Sequence, residues 1–405
     1  MSELTSENDY RNRTRGKFLI SLIFSCLFLL LISCSDSTVN TAETASHTEK
    51  LVSLNKIDHN SFLSSGNFSG LASKTNKSPV RSSQKIKSEG FVSPLFSLTT
   101  APNGDILVAD AGAGIITLDG TDDIPLPGVT DMSPIGRGSM WAIKGLTGEP
   151  GEETGQALYR VSQGKNRVIA DLFAFEQEYN PDGATLIDSN PFDVHSFDGQ
   201  TALVVDAAGN DLLRIDNQGH IEVVAVFPNE LVSTSNVKSL VGCPMGPAGI
   251  CGLPDEISAQ PVPTSIAVGP DGSYYIGELK GFPAPTGESN IWRISPDASD
   301  VMCGAGPDCM KAFDGGFTSI IDMSFDDQGN LYVVELDENS WFALEIGSGI
   351  LAGGTINKCD LEAGTCVEVA SGIPILTAIT FGNDGTLWAT RNALIPGAAE
   401  VFMVE

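Results

Sequence analysis

Apolar and polar positions along residues 91–405 follow one pattern that returns six times. A short alternating run, a polar turn holding a glycine and a second run rich in aliphatic and aromatic residues make up FSLTTAPNGDILVAD (96–110). The same form appears in TDMSPIGRGSMWAIK (130–144), FDVHSFDGQTALVVD (192–206), TSIAVGPDGSYYIGE (264–278), IDMSFDDQGNLYVVE (321–335) and TAITFGNDGTLWATR (377–391). Alternation with a period of two predicts strands. Asn-Gly or Asp-Gly at four of the six turns predicts tight hairpins. The turn glycines Gly104, Gly138, Gly199, Gly272, Gly329 and Gly385 stand 34 to 73 residues apart.

Two further strand-like runs follow most hairpins, as in ALYRVSQG with NRVIADL and DLLRIDNQG with IEVVAVF. Four antiparallel strands repeated six times predict an all-β, six-bladed β-propeller. A pair of β-sandwiches would give no reason for one hairpin to recur. Trp141, Tyr275, Tyr332 and Trp388 recur at equivalent strand positions and read as core. The last repeat ends in only a third strand, AEVFMVE, so its fourth should come from about Ile86 to Ser93, closing the ring and leaving no long edge.

The N-terminus has another character. Arg11, Arg13, Arg15 and Lys17 precede an apolar run from Phe18 to Ile32, which ends in Leu-Ile-Ser-Cys at Cys34. Residues 1–33 therefore read as a lipoprotein signal peptide with Cys34 as the lipidated residue, because the run is short for a membrane span. Ser35 after the cysteine matches the sorting pattern of outer-membrane lipoproteins. The expected location is the cell envelope: outer membrane, periplasm-facing or cell surface. Residues 34–90, rich in Ser, Thr, Asn and Lys, read as a flexible tether.

The chain carries 23 Lys plus Arg against 51 Asp plus Glu. Residues 91–405 hold 12 and 43 of these, a formal charge of −31 that repels phosphate backbones and argues against nucleic acid. Beyond Cys26 and Cys34, six cysteines form three close pairs: Cys243 with Cys251, Cys303 with Cys309 and Cys359 with Cys366. Spacing allows other connectivities, but neighbour pairing is the simplest in an oxidising compartment.

Lettering the strands of a blade a to d from the axis outward puts the a–b and c–d turns on one face and all other connections on the opposite face. The pairs Cys303/Cys309 and Cys359/Cys366 fall where c–d turns belong. The long insertions 145–156, 173–190, 228–262, 279–289 and 336–353 all fall on the other face, which is thus the expected binding face.

Hairpin register predicts six couples at that face: Ser97 with Asp110, Asp131 with Lys144, Asp193 with Asp206, Ser265 with Glu278, Asp322 with Glu335, and Ala378 with Arg391. Acids directly opposite each other require compensation by Lys144 and Arg391, by backbone donors, or by a cation. Asp193, Asp206, Asp322 and Glu335 are accordingly a candidate set for an axial Ca²⁺, which prefers oxygen ligands. Asn190, Glu278, Asp110, Asp131, Lys144 and Arg391 are ligand-face candidates. The competing reading has these acids bonding loop amides or neighbouring blades.

No catalytic residue is assigned. GxSxG, HExxH and glycine-rich phosphate loops are lacking, and neither His195 nor His220 lies near a nucleophile motif.

ADLFAFEQEYNPDG (170–183), DSNPFDVHSFDG with LVVDAAGNDLLRID (188–216), VPTSIAVGPDGSYYIGELKGFPAPTG (262–287) and GFTSIIDMSFDDQGNLYVVE (316–335) resemble the ScyD/ScyE family. These are exported NHL-repeat-like propellers named for an association with sunscreen-pigment biosynthesis. The resemblance spans about residues 95–405 and implies a six-bladed propeller, with no settled reaction or ligand.

Two functions follow. One is a monomeric, membrane-tethered binding module that offers its loop face to a protein, glycan or small molecule. The other is a Ca²⁺-dependent lactonase- or esterase-like hydrolase, with Asn190, Asp193, Asp322 and Glu335 around the metal.

Overall fold

In the computed structural model the described residues are 85–87, 90–118, 123–145, 155–347 and 351–405. The expected signal peptide, Cys34, almost all of the tether and most of the insertion 145–156 lie outside them. Among the described residues no helix is long and apolar enough to cross a membrane.

Six antiparallel sheets stand side by side around an axis. Blade one holds Leu95–Thr100, Ile106–Asp110, Gly114–Thr117 and Ile124–Pro125. Blade two holds Val129–Gly136, Ser139–Lys144, Ala157–Ser162 and Lys165–Asp171. Pro191–Ser196, Thr201–Asp206, Asp211–Asp216 and Ile221–Val226 form blade three. Blade four comprises Pro263–Val268, Tyr274–Glu278, Ser289–Ile294 and Cys309–Phe317. Ile320–Phe325, Leu331–Glu335, Gly354–Asp360 and Thr365–Ile373 form blade five. Blade six takes Ile379–Phe381, Leu387–Arg391 and Glu400–Met403, with Lys85–Lys87 as its outer strand.

That outer strand closes the ring, pairing antiparallel with Glu400–Met403. It lies at the start of the stretch expected to donate it, upstream of residue 91, so the folded ring takes in part of the segment read as tether.

Each blade buries apolar residues on both faces, because each sheet is packed between two neighbours. Trp141, Ile143 and Leu158 of blade two meet Val194, Val204 and Leu213 of blade three. Leu203 and Val205 of blade three meet Ile266, Tyr274 and Trp292 at the next seam. Burial of one such side chain stabilises by about 1.5–3 kcal/mol, so the seams rather than the single blades carry the fold. Among the recurring aromatics, Trp141 and Tyr275 are buried, while Tyr332 and Trp388 pack partly buried against core clusters.

All three neighbouring cysteine pairs are bonded. Cys359 and Cys366 face each other across the c–d hairpin of blade five. The Cys303–Cys309 bridge clasps a longer c–d connection in blade four. Its residues Val301–Met302 reach across to run parallel to Ile221–Val226, giving blade three a fifth strand.

Candidate functional site

In five blades the inner hairpin slips register near the loop-bearing face, between Leu95 and Ser97, Val129 and Asp131, Pro191 and Asp193, Pro263 and Ser265, and Ile320 and Asp322. A bulge inserts one extra residue, and a one-residue slip sends a side chain to the other face of the sheet. The six couples expected from simple hairpin counting are therefore corrected. Ser97 lies opposite Ala109, Asp131 opposite Ile143, and Asp193 opposite Val205. Ser265 lies opposite Gly277 and Asp322 opposite Val334. In blade six, Arg391 is paired with Glu400, and the carbonyl of Ala378 accepts from the amide of Thr390. The bulge sorts the acids into two sets with different partners.

The inner-strand set is Asp131, Asp193 and Asp322. Each reaches the next blade: Asp131 accepts from the amide of Val194 at 2.8 Å, Asp193 from Ile266 at 2.7 Å and Asp322 from Ile379 at 2.7 Å. The Ser97 hydroxyl donates to the other oxygen of Asp131, so that carboxyl ties three blades together. Burial pushes Asp193 well above the usual carboxylate range, and the charges of Asp131 and Asp322 push it further. Burial raises Asp131 as well, against the pull of the hydrogen bonds it accepts from Ser97 and Val194.

The second set closes strand b. Asp110 accepts from the amides of Val92 and Gly112 at 2.6 and 3.0 Å. Asp206 accepts from the Ser189 hydroxyl at 2.6 Å and from the amides of Asn190, Ala208 and Gly209 at 2.6, 3.1 and 2.9 Å. Glu278 takes the Trp292 indole N–H at 2.6 Å and the Asn290 side-chain amide at 2.8 Å. Glu335 takes the Thr318 amide at 2.5 Å and the Asn357 side chain at 2.6 Å. The candidate metal set is thus divided, with Asp193 and Asp322 on the inner strands and Asp206 and Glu335 engaged by their own loops. Among the described residues no three acidic, cysteine or histidine side chains are gathered around one point that would hold a metal ion.

The expected compensating cations are placed elsewhere. Arg391 pairs with Glu400 at 2.5 Å and lies over the Phe402 ring, while Lys144 is half-buried with its pKa lowered by desolvation. Backbone donors do the compensating. Burial lowers the pKa of His195.

Burial holds Glu335 at about 7 and Glu176 at about 9, above the ordinary glutamate value of 4.5. A carboxyl raised in this way binds its proton more tightly when folded. Its contribution is complete below the unfolded value and is lost as pH rises through the folded one. In chelated buffer the melting temperature should therefore fall from about pH 5 to pH 9, each group adding a slope of at most about 1.4 kcal/mol per pH unit. Glu335→Gln should flatten the part of that fall below about pH 7; an unchanged profile in this variant contradicts the assignment.

Sequence reasoning missed the framework beneath the loop face. The insertion 228–262 carries a hairpin, Glu230–Ser233 with Glu256–Ala259, and two short helices, Ser235–Leu240 and Ala248–Cys251, with the Cys243–Cys251 bridge tying the link between them to the second. Its Asn236 side chain donates to the carbonyl of Ala284 at 2.7 Å, the carbonyl of Asn339 at 3.3 Å and the Ser340 hydroxyl at 3.0 Å, and so joins three insertions. Lys280 is fully buried between Glu230 at 2.7 Å and Glu278 at 2.8 Å. The buried Trp341 donates its indole N–H to the carbonyl of Lys280 at 2.9 Å. A lysine in the proline-containing insertion 279–289 and a tryptophan in the insertion 336–353 were the available signals; their partners were not.

No protein family matches the chain and no curated protein matches it. Among solved structures it is similar to virginiamycin B lyase from Staphylococcus aureus, with 16% identity over 79% of this chain and 86% of that one and a TM-score of 0.43. It is also similar to a gluconolactonase from Xanthomonas campestris, with 11% identity over 77% and 87% and a TM-score of 0.45. A third likeness is to a chain of a nidogen/laminin complex, with 11% identity over 73% and 84% and a TM-score of 0.40. Likenesses this distant carry no argument about the site, and the six-bladed fold stands on its own sheets.

Proposed function

We propose that this chain is an exported, envelope-tethered binding propeller of the ScyD/ScyE type, offering its loop face to a protein, glycan or small-molecule ligand. The observation that carries the reading is the joining of three insertions into one framework through Asn236, Lys280 and Trp341. Loops ordered in advance lose less conformational entropy on association, which is what a recognition surface requires. Leu231 and Met245 stand out from this framework at 71% and 92% exposure, and Tyr179 from the insertion between blades two and three at 62%. Apolar tips on a domain of formal charge −31 suit a partner with apolar pockets and a basic rim.

The hydrolase reading needs Glu335 to leave the Thr318 amide and the Asn357 side chain and turn toward Asp193 and Asp322. The inner-strand acids serve the binding reading as they stand, as links between blades.

The test compares capture from envelope extracts and a glycan array by the parent chain and by a variant carrying Tyr179→Ser, Leu231→Ser and Met245→Ser. These exposed positions leave the fold untouched, so the parent should retain specific partners that the variant loses. Equal capture by both chains would overturn the reading. So would chelator-sensitive turnover of lactones or aryl esters that disappears in Asp193→Asn.

A further inference from the structure

Beneath the loop face lies a group of acids that the binding reading does not use. Glu176 projects from the helix Leu172–Tyr179 of the insertion between blades two and three. Asp182 follows it in the same insertion. Asp206 and Asp211 flank the four-residue turn that joins strands b and c of blade three. Asp206, Asp211 and Glu176 are buried to 1%, 0% and 2% exposure. Each of the charges of Asp206, Glu176 and Asp182 acts on Asp211. Among the described residues the charges that raise Glu176 and Asp211 are all carboxylates.

The hydrogen bonding of these groups is incomplete in a specific way. Among the described residues both carboxylate oxygens of Asp211 are buried without a hydrogen-bond partner, and so are Oε1 of Glu176 and the side-chain oxygen of Asn180. Glu176 Oε1 lies against Gly209, where an added Cβ would stand 2.6 Å from it and 3.3 Å from the Asp206 carboxyl carbon. Asp182 is held facing the same turn by the Asn210 side chain at 2.8 Å. A fully buried carboxyl with neither oxygen bonded costs several kcal/mol unless a proton or a cation meets it.

We propose that this group is an all-oxygen site for a hard divalent cation of the Ca²⁺ type, with Glu176 and Asp211 as its central ligands and Asp182 beside them, while Asp206 stays on its own loop amides. The donors are carboxylate and amide oxygens, without sulfur or imidazole, which is the chemistry Ca²⁺ selects over Zn²⁺. The cation-free side chains do not yet converge on one centre. Cation entry displaces their protons and draws them together, as metal binding coupled to deprotonation does. The consequence is mechanical: the ion fastens the insertion between blades two and three to the b–c turn of blade three. This site is distinct from the axial one weighed from the sequence, and it stands whether or not the loop face binds a partner.

The full chain, stripped with chelator, is titrated with CaCl₂ in a calorimeter and melted with and without 1 mM Ca²⁺ at roughly pH 6 and pH 8. The expected result is one site, proton release on binding, and a rise in melting temperature that is larger at the higher pH. Asp211→Asn and Glu176→Gln should each abolish that rise and still fold without calcium, since each removes a charge from a repelling group. Asp193→Asn should keep the rise. No heat and no melting shift at the higher pH would overturn the proposal. So would a calcium response that survives in Asp211→Asn and Glu176→Gln, whether it is lost in Asp193→Asn or shared by every variant.

Discussion

Replacing Lys280 by Met should lower the unfolding free energy by about 3–5 kcal/mol, because removing one partner of a buried ion pair strands the other. The ammonium lies 2.8 Å from Glu278, and both side chains are fully buried. Glu278 is fixed in place by the Asn290 side chain and the Trp292 indole, so it cannot swing out to water. Against the upward push of burial, Lys280 and the donors Lys311 and Asn290 hold Glu230 down at about 2. A depressed carboxyl stabilises above its unfolded value and loses that contribution as pH falls through the folded one. The Glu230 contribution should thus fade between about pH 4.5 and pH 2, and Lys280→Met should weaken this acid sensitivity. Denaturant unfolding measures the loss directly. The double variant Lys280→Met, Glu278→Gln should recover much of it, since the stranded charge is gone. A single variant within 1 kcal/mol of the parent, set against the roughly 3 kcal/mol or more expected of a broken buried pair, would show that water reaches the pair.

Trp341→Ala should cost a similar amount, about 3–5 kcal/mol, through lost burial and the cavity left behind. The ring is fully buried, edge-on to Phe342 at 5.7 Å, in the core cluster that also holds Val237, Leu279 and Ala284. Together with Trp341 these residues come from three different insertions, so the damage should be local to the loop face. Hydrogen exchange should speed up in 235–251 and 279–288, while the strands of blades one and two keep their protection. Uniform acceleration across all blades would mean that the tryptophan supports the ring as a whole and not the face. The variant should also lose any partner that the parent captures.

Both predictions involve residues that gave little warning in the sequence. Lys280 and Glu230 are 50 positions apart, and Asn236 reaches Ser340 across 104. Pairings at such separations leave no local pattern, since each residue alone is compatible with a solvated loop. The same holds for Glu176 and Asp211, which read as two among many acids until the insertion folds back on blade three. The disulfides were easier. Separations of six to eight residues make neighbour pairing the simplest closure, and that closure is present in all three cases.

The inner-strand acids show where local reading stops. Gly104, Gly272 and Gly329 adopt positive φ of 97°, 77° and 83° at their hairpin turns. The glycines, the flanking alternation and the turn dipeptides made the six hairpins legible, because strand period and turn geometry are properties of neighbouring residues. The sequence on its own thus determined the number of blades, the strand order and the face that carries the insertions. Only the assembled ring decided the partners of the acids. A bulge near the loop face shifts the inner strands of blades two, three and five, and Asp131, Asp193 and Asp322 then meet amides of the following blade rather than acids of their own hairpin. Backbone amides look alike in a sequence, and which of them is left unpaired at a seam depends on how two sheets meet.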